Sequence, residues 1–251
     1  MIMNKIGKLR EIIKNSNYIV FFGGAGVSTE SNIPDFRSEE GLYSAREVYN
    51  HSPEEMLSIS FFNNHTETFY RYYREYILHP EAQPNDAHKT LAMLEKEGIL
   101  KAVITQNIDG LHQKAGSREV LELHGSVERN YCSSCHKKFG LEYITDSIGV
   151  PKCNRCGKLV RPDVVLYGEG LETEVIDKSI HYIENADTLI VGGTSLVVYP
   201  AAGLIRYFKG KNLVLINKSG TPFDARADLV INESIGKVLK KAVENTFQTN
   251  L

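Results

Sequence analysis

The chain has 251 residues, 42% hydrophobic and 24% charged, an ordinary globular composition long enough to bury roughly 70 to 75% of its unfolded surface. A formal net charge of -2 gives no basic field to hold nucleic acid non-specifically, and no window approaches the run of about 18 apolar residues that a membrane-spanning helix needs. Disorder, membrane insertion and direct nucleic-acid binding are therefore not expected.

Residues 1–16 space their apolar side chains helically between Lys and Arg and lack an apolar core followed by a small-residue cleavage site. They predict a helix, not a signal peptide. Tyr18 to Phe22 is a short β-branched and aromatic run that predicts an interior strand of a parallel sheet. Gly23, Gly24 and Gly26 follow, and glycine suits a tight turn that lets a phosphate approach without a Cβ in the way. The hydride-transfer fingerprint G-x-G-x-x-G would place Gly or Ala at Thr29 and continue into a long helix. Here Ile33-Pro34-Asp35-Phe36-Arg37 intervenes, and proline disfavours helix at Ile33, so a loop able to fold over a ligand is expected. A turn that only packs strand on helix would account for Gly24 and Gly26 alone. Asp35-Phe36-Arg37 favours a nucleotide site.

Residues 38–80 form a helical, aromatic-rich insertion in which Phe62, Phe69, Tyr70, Tyr73 and Ile77 make a stripe of the kind that is more often core than site. Asp86 to Glu97 predicts an amphipathic helix with Asp86 as N-cap and Gly98 as the stop. Strands follow at Leu100–Ile104, Val120–Leu123, Thr188–Val191, Leu213–Ile216 and Leu229–Ile231, and Pro200 allows a fresh helix after the Thr188 strand. An amphipathic helix over Ile235–Phe247 ends the series. This alternation predicts an α/β fold with a mostly parallel sheet of about six strands.

Residues 128–160 hold all four cysteines and little apolar mass, so this module needs a staple. Cys132-x-x-Cys135 and Cys153-x-x-Cys156 are separated by 17 residues, within the spacing of a four-thiolate zinc site. Four thiolates close a tetrahedron and leave no place for water, which makes the metal structural. Paired disulfides are the alternative, disfavoured without a secretion signal, and a redox role is weaker because neither pair opens a helix after a strand.

In a doubly wound sheet, ligands bind beyond the carboxyl ends of the strands. Those ends carry Thr105-Gln106-Asn107-Ile108-Asp109-Gly110-Leu111-His112, then His124-Gly125, Gly192-Gly193-Thr194-Ser195 and Asn217. Each alone reads equally well as a solvated turn. His124 stands at a strand end before the cysteine module and is a candidate proton acceptor near neutral pH, with His112 as a rival and a hydrogen-bonded hinge histidine as the simpler alternative.

The glycine turn with Val27-Ser28-Thr29, the Ile33–Arg37 and Thr105–His112 segments, Leu123-His124-Gly125, the paired cysteine knuckles, Gly168-Glu169 and Gly193-Thr194-Ser195-Leu196 occur together in the order of the sirtuins. The chain resembles this family of NAD-dependent protein-lysine deacylases over nearly its whole length, and its bacterial members of minimal length most. The resemblance implies a Rossmann-like doubly wound parallel sheet with a small zinc-ribbon module and a helical insertion. Residues 1–37, 81–127 and 161–251 would form the NAD-binding large domain, with 38–80 and 128–160 as the small one. It implies removal of acetyl or short acyl groups from protein lysines, with NAD consumed to give nicotinamide and O-acetyl-ADP-ribose, and one structural Zn2+. Mono-ADP-ribosyl transfer, desuccinylation or demalonylation, and a non-catalytic NAD or ADP-ribose sensor are the alternatives.

By the same resemblance His124 is the general base, and Asn107 and Asp109 hold the carboxamide and ribose of the cleaved end. Gly24, Ala25, Gly26, Thr29, Asp35, Phe36, Arg37, Gln106 and Ile108 belong to the cofactor site, and Phe36 shields a cation-like centre from water. Gly193, Thr194, Ser195, Asn217, Ser234 and Ile235 meet phosphate, ribose and adenine. Glu47, in the range where hydride enzymes keep a ribose acid, has no such duty. Val165, Tyr167, Gly168 and Glu169 receive the acyl-lysine peptide as an added strand, with Tyr167 where the family usually has Phe. Succinyl- and malonyl-preferring branches carry Tyr-x-x-Arg. Here Arg74 follows Tyr70 one position late, about 100° round a helix, so it is expected to point elsewhere. A cytoplasmic monomer acting on acyl-lysine proteins, with no membrane or nucleic-acid partner, is expected.

Overall fold

The computed structural model describes residues 2–35 and 48–244. Its strands are β1 (Ile19–Gly23), β2 (Leu100–Thr105), β3 (Val120–Glu122), β4 (Gly125–Cys132), β5 (Lys138–Phe139), β6 (Val160–Val164), β7 (Thr188–Gly192), β8 (Asn212–Ile216) and β9 (Leu229–Ile231). Among the described residues six of them form one sheet in the order β3-β2-β1-β7-β8-β9, and every pairing is parallel. The predicted α/β class and strand number hold. Sequence order runs outward in both directions from the β1/β7 junction, which makes that junction the topological switch point.

Every residue of β1 is buried because the sheet is covered on both sides. Phe21 faces Leu9, Ile13, Leu91 and Val238, while Val20 and Phe22 face Ile183, Leu204 and Leu215, as the two-residue alternation of a strand requires. Burying one such phenylalanine side chain contributes roughly 1.5–3 kcal/mol, so substitution by alanine would open a cavity at the sheet's centre.

The helix over Asp86–Lys96 is capped by Asn85, not by Asp86 as predicted. Asn85 Oδ1 accepts from Ala87 N–H at 2.9 Å, and His88 Nδ1 accepts from Asn85 N–H at 3.3 Å, which places Asp86 already inside the first turn. The last described helix spans Ile235–Val243, and residues 245–247 of the expected helix lie outside the described residues. After Pro200 the chain forms a 3-10 turn over Ala201–Tyr207.

The second sheet, β5-β4-β6, is antiparallel. Its Val127, Val160 and Val164 share one core with Phe62, Phe69, Tyr70 and Tyr73 of the insertion and with Leu141 and Ile144. The aromatic stripe is thus core, with Tyr73 and Ile77 at its edge also facing the cleft described below. The boundaries expected at residues 127 and 161 fall inside β4 and β6.

Candidate functional site

Because the strands of the large sheet are parallel, the loops after them emerge on one side, and the switch point brings the β1 and β7 loops together. Gly26 N–H donates to Gly193 O at 2.8 Å. A Cβ on Gly26 would lie 2.8 Å from Gly193 Cα, and Gly193, at φ +60°, would set its own Cβ 2.4 Å from Val27 N. Both glycines serve the contact between two loops. The open phosphate cradle expected of this turn is largely closed, since the amides of Gly26, Val27 and Ser28 all donate within the protein.

Beyond this contact lies a cleft of about 1020 Å³, and every expected cofactor and substrate residue among those described lines it. Phe36, Arg37 and Glu47 lie outside the described residues. Polar side chains from separate strand ends are cross-linked in its wall. Ser28 Oγ donates to Asp109 Oδ2 at 2.6 Å and accepts from Asn107 Nδ2 at 3.0 Å. Gln106 Nε2 donates to Thr194 Oγ1 at 3.0 Å, and Thr194 N–H donates to Asn217 Oδ1 at 2.9 Å. With its oxygen so engaged, Asn217 directs a buried Nδ2 that finds no acceptor among the described residues. A buried amide without a partner is costly, and a ribose or phosphate oxygen of a dinucleotide would satisfy it. The sequence pattern gives Ser28 no role of its own; a hydroxyl two residues past Gly26, close to the end of β1, is the signal that points to it.

His124 Nδ1 lies 2.9 Å from Gln106 O. A carbonyl only accepts, so Nδ1 carries the proton and Nε2 keeps its lone pair. Burial draws the His124 pKa below the ordinary 6.5, and the bond to Gln106 partly opposes this. The ring is therefore neutral at pH 7 and able to accept a proton. His112 lies elsewhere: it is 2% exposed, packs its ring 4.7 Å from that of His88, and does not line the cleft. Of the two histidines, His124 lines the cleft and His112 does not.

The Val164–Glu169 segment is tied to its surroundings by Val165 N–H to His124 O at 2.9 Å, Tyr167 N–H to Leu57 O at 3.0 Å and Ile59 N–H to Tyr167 O at 3.0 Å. Glu169 receives both guanidinium nitrogens of Arg161, at 3.1 and 3.0 Å, and also the Leu166 N–H at 2.9 Å. Its carboxylate thus shapes the segment from within, a duty the expected substrate contact did not include.

Away from the cleft, the sulfurs of Cys132, Cys135, Cys153 and Cys156 lie within 4.8 Å of one another, with Cys132–Cys156 at 3.4 Å and Cys135–Cys153 at 3.6 Å. All four are free thiols. Zinc–sulfur bonds of about 2.3 Å in a tetrahedron put sulfurs about 3.8 Å apart, so the cluster fits Zn2+ and not disulfides. Amides of Cys135 and Ser134 donate to Cys132 Sγ, and that of Arg155 to Cys153 Sγ, which favours the thiolate. The donor set is complete without a water, as a structural site requires.

Fold and site together define a Rossmann-like dinucleotide-binding protein whose cleft separates the sheet edge from a zinc-stapled small unit. The chain belongs to the Sir2 family, whose model matches residues 24–200. It is 60% identical over 244 residues to an NAD-dependent protein deacetylase of Clostridium acetobutylicum, covering 97% of this chain and 100% of that protein. Among solved structures it is similar to a complex of Sir2 with a p53 peptide and NAD+, with a TM-score of 0.84, 41% identity and coverage of 96% and 98% of the two chains. A Sir2 variant with deacetylated p53 peptide and 3′-O-acetyl ADP ribose gives 0.85, 41% and 98% of each. Among the described residues no helix is long and apolar enough to cross a membrane.

Proposed function

We propose that this protein removes acetyl and other short acyl groups from protein lysines, using NAD as co-substrate together with one water and yielding nicotinamide, O-acetyl-ADP-ribose and the free lysine. The observation that carries the reading is the placement of His124, with its free Nε2, in the same cleft as the Asn107–Ser28–Asp109 cluster and the unsatisfied Asn217 amide. NAD supplies an activated ribose when bound. Asn107 and Asp109, steadied through Ser28, hold its nicotinamide end. Thr194, Ser195, Asn217, Ser234 and Ile235 hold the adenosine end. His124 Nε2 takes a ribose hydroxyl proton, a task suited to an imidazole that is neutral at the working pH.

The acyl-lysine peptide lies as an added strand beside Val164–Glu169, where main-chain bonds give affinity to many sequences. Gly168 and Tyr167 carry the segment, and Glu169 fixes its shape through Arg161. In this reading the sheet of β1, β2, β3, β7, β8 and β9 belongs to an NAD-binding large domain, and the shared aromatic and cysteine core to a small one. The protein acts as a cytoplasmic monomer. Its free thiols, arranged for metal, suit a reducing compartment.

One incubation tests the reading: acetylated peptide with NAD, following nicotinamide and the fate of the acetyl group. Nicotinamide with O-acetyl-ADP-ribose is expected. Protein-bound ADP-ribose would replace the reading by ADP-ribosyl transfer, and tight NAD binding without turnover by a sensor. His124→Ala is expected to lower formation of the acyl product by at least about a hundredfold, the scale of a lost general base, with zinc content unchanged.

A further inference from the structure

We propose that Glu30 is a positioning residue for the adenosine end of NAD, acting through Ser234 and Ile235. The proposal rests on the NAD reading above. Glu30 follows Thr29 and Gly236 follows Ile235, and both Thr29 and Ile235 line the cleft. Glu30 Oε2 accepts the Gly236 N–H at 2.7 Å across 206 positions of sequence. Gly236 is in the first turn of the Ile235–Val243 helix, where backbone amides have no intrahelical acceptor and the helix dipole favours a negative charge. The carboxylate therefore clamps the start of this helix to the 3-10 turn over Thr29–Ser31.

Two glycines make room for the clamp. A Cβ on Gly236 would stand 2.2 Å from Glu30 Oε2 and 3.3 Å from Ala87 N. A Cβ on Gly192, the last residue of β7, would stand 2.0 Å from Ile235 Cδ1. The segment after β9 is thus held from both sides of the switch point, with Ile235 wedged against β7 and Gly236 tied to the element that follows β1. Glu30 does not line the cleft, so its effect on a ligand passes through Ser234 and Ile235. The peptide-receiving segment is tied to other partners, His124, Leu57 and Ile59.

The test uses the zinc-loaded full chain, with ADP-ribose and NAD affinity measured by calorimetry, KM measured separately for NAD and acetyl-peptide, and thermal midpoints. Glu30→Ala is expected to weaken ADP-ribose binding and raise KM for NAD roughly three- to tenfold, the scale of one charged cap. KM for peptide stays within about twofold, and the thermal midpoint within a few degrees. Glu30→Gln keeps an acceptor at the same reach and is expected to stay close to wild type. Gly236→Ala displaces the carboxylate from the other side and is expected to reproduce the NAD defect, although alanine is the better helix former. Unchanged dinucleotide affinity in Glu30→Ala or Gly236→Ala would overturn the proposal, as would parallel loss of NAD and peptide affinity or a collapsed thermal midpoint. Failure of the wild type to bind ADP-ribose would instead sink the NAD reading itself.

Discussion

The Ser28 hydroxyl donates to the Asp109 carboxylate at 2.6 Å across 81 positions of sequence, and its oxygen accepts the Asn107 amide at 3.0 Å. One small side chain thereby orients two groups assigned to the nicotinamide end. Asp109 keeps its second oxygen on Leu111 N–H at 2.9 Å, so the loop backbone does not depend on Ser28. Ser28→Ala is expected to lower kcat/KM for nicotinamide release roughly 10- to 100-fold, since a hydrogen bond to a charged group is worth about 1.5–3 kcal/mol. A variant within twofold of wild type would remove Ser28 from the site.

The buried pair His88 and His112 predicts acid sensitivity. Burial draws His88 down to about 4, with Asp109 opposing, and His112 down to about 3, with His88 adding to the effect. Both are neutral in the folded chain, whereas an unfolded histidine binds its proton near pH 6.5. Stability is therefore full above pH 6.5 and falls as pH drops toward 4, because the unfolded state binds protons first, by up to about 1.4 kcal/mol per pH unit for each ring. Urea unfolding of the zinc-bound protein between pH 7 and 5 should show this slope. His112→Leu, similar in volume and non-titrating, should lower it by up to about 1.4 kcal/mol per unit, reached toward pH 5. An equal slope in both proteins would refute the assignment.

Zinc should be retained at one equivalent. Chelation is expected to melt the β4–β6 unit, with all four thiols becoming reactive, while the large sheet keeps its far-UV signal, because the metal contributes on the order of 10 kcal/mol to ordering such a module. Purified protein with under half an equivalent of zinc and full activity would defeat the structural role.

Arg74 does not line the cleft. Its guanidinium donates to Ile144 O at 2.9 Å and to Ser147 Oγ and Gly149 O at 2.6 Å each, tying the insertion to the cysteine module. Deacetylation is therefore expected to exceed desuccinylation, and faster desuccinylation in a kinetic comparison would reverse the acyl assignment. Arg74→Ala should cost about 1–3 kcal/mol of stability without altering the acyl ratio. Tyr73 is fully buried and its hydroxyl has no partner among the described residues, so Tyr73→Phe should be neutral or stabilising.

Much of this was legible along the chain. The apolar run before Gly23, the spacing of the two cysteine knuckles and the position of His124 at a strand end are local patterns, and local patterns report strands, metal ligands and loop chemistry. The acceptor of the Gly26 amide was not legible, because Gly193 lies on a distant strand end. Nor was the choice between His112 and His124, whose loops look alike until one ring turns into the core and the other toward the cleft.

The sequence by itself determined the strand–helix alternation, the four-thiolate set and the family resemblance, because period, residue type and order along the chain carry that information directly. Only the tertiary structure decided that Ser28 joins Asn107 to Asp109, that Glu169 turns inward to Arg161 and that Glu30 reaches the helix starting at Ile235. Those contacts join residues far apart in the chain, and their distances exist only once the parallel sheet has brought its strand ends to one edge.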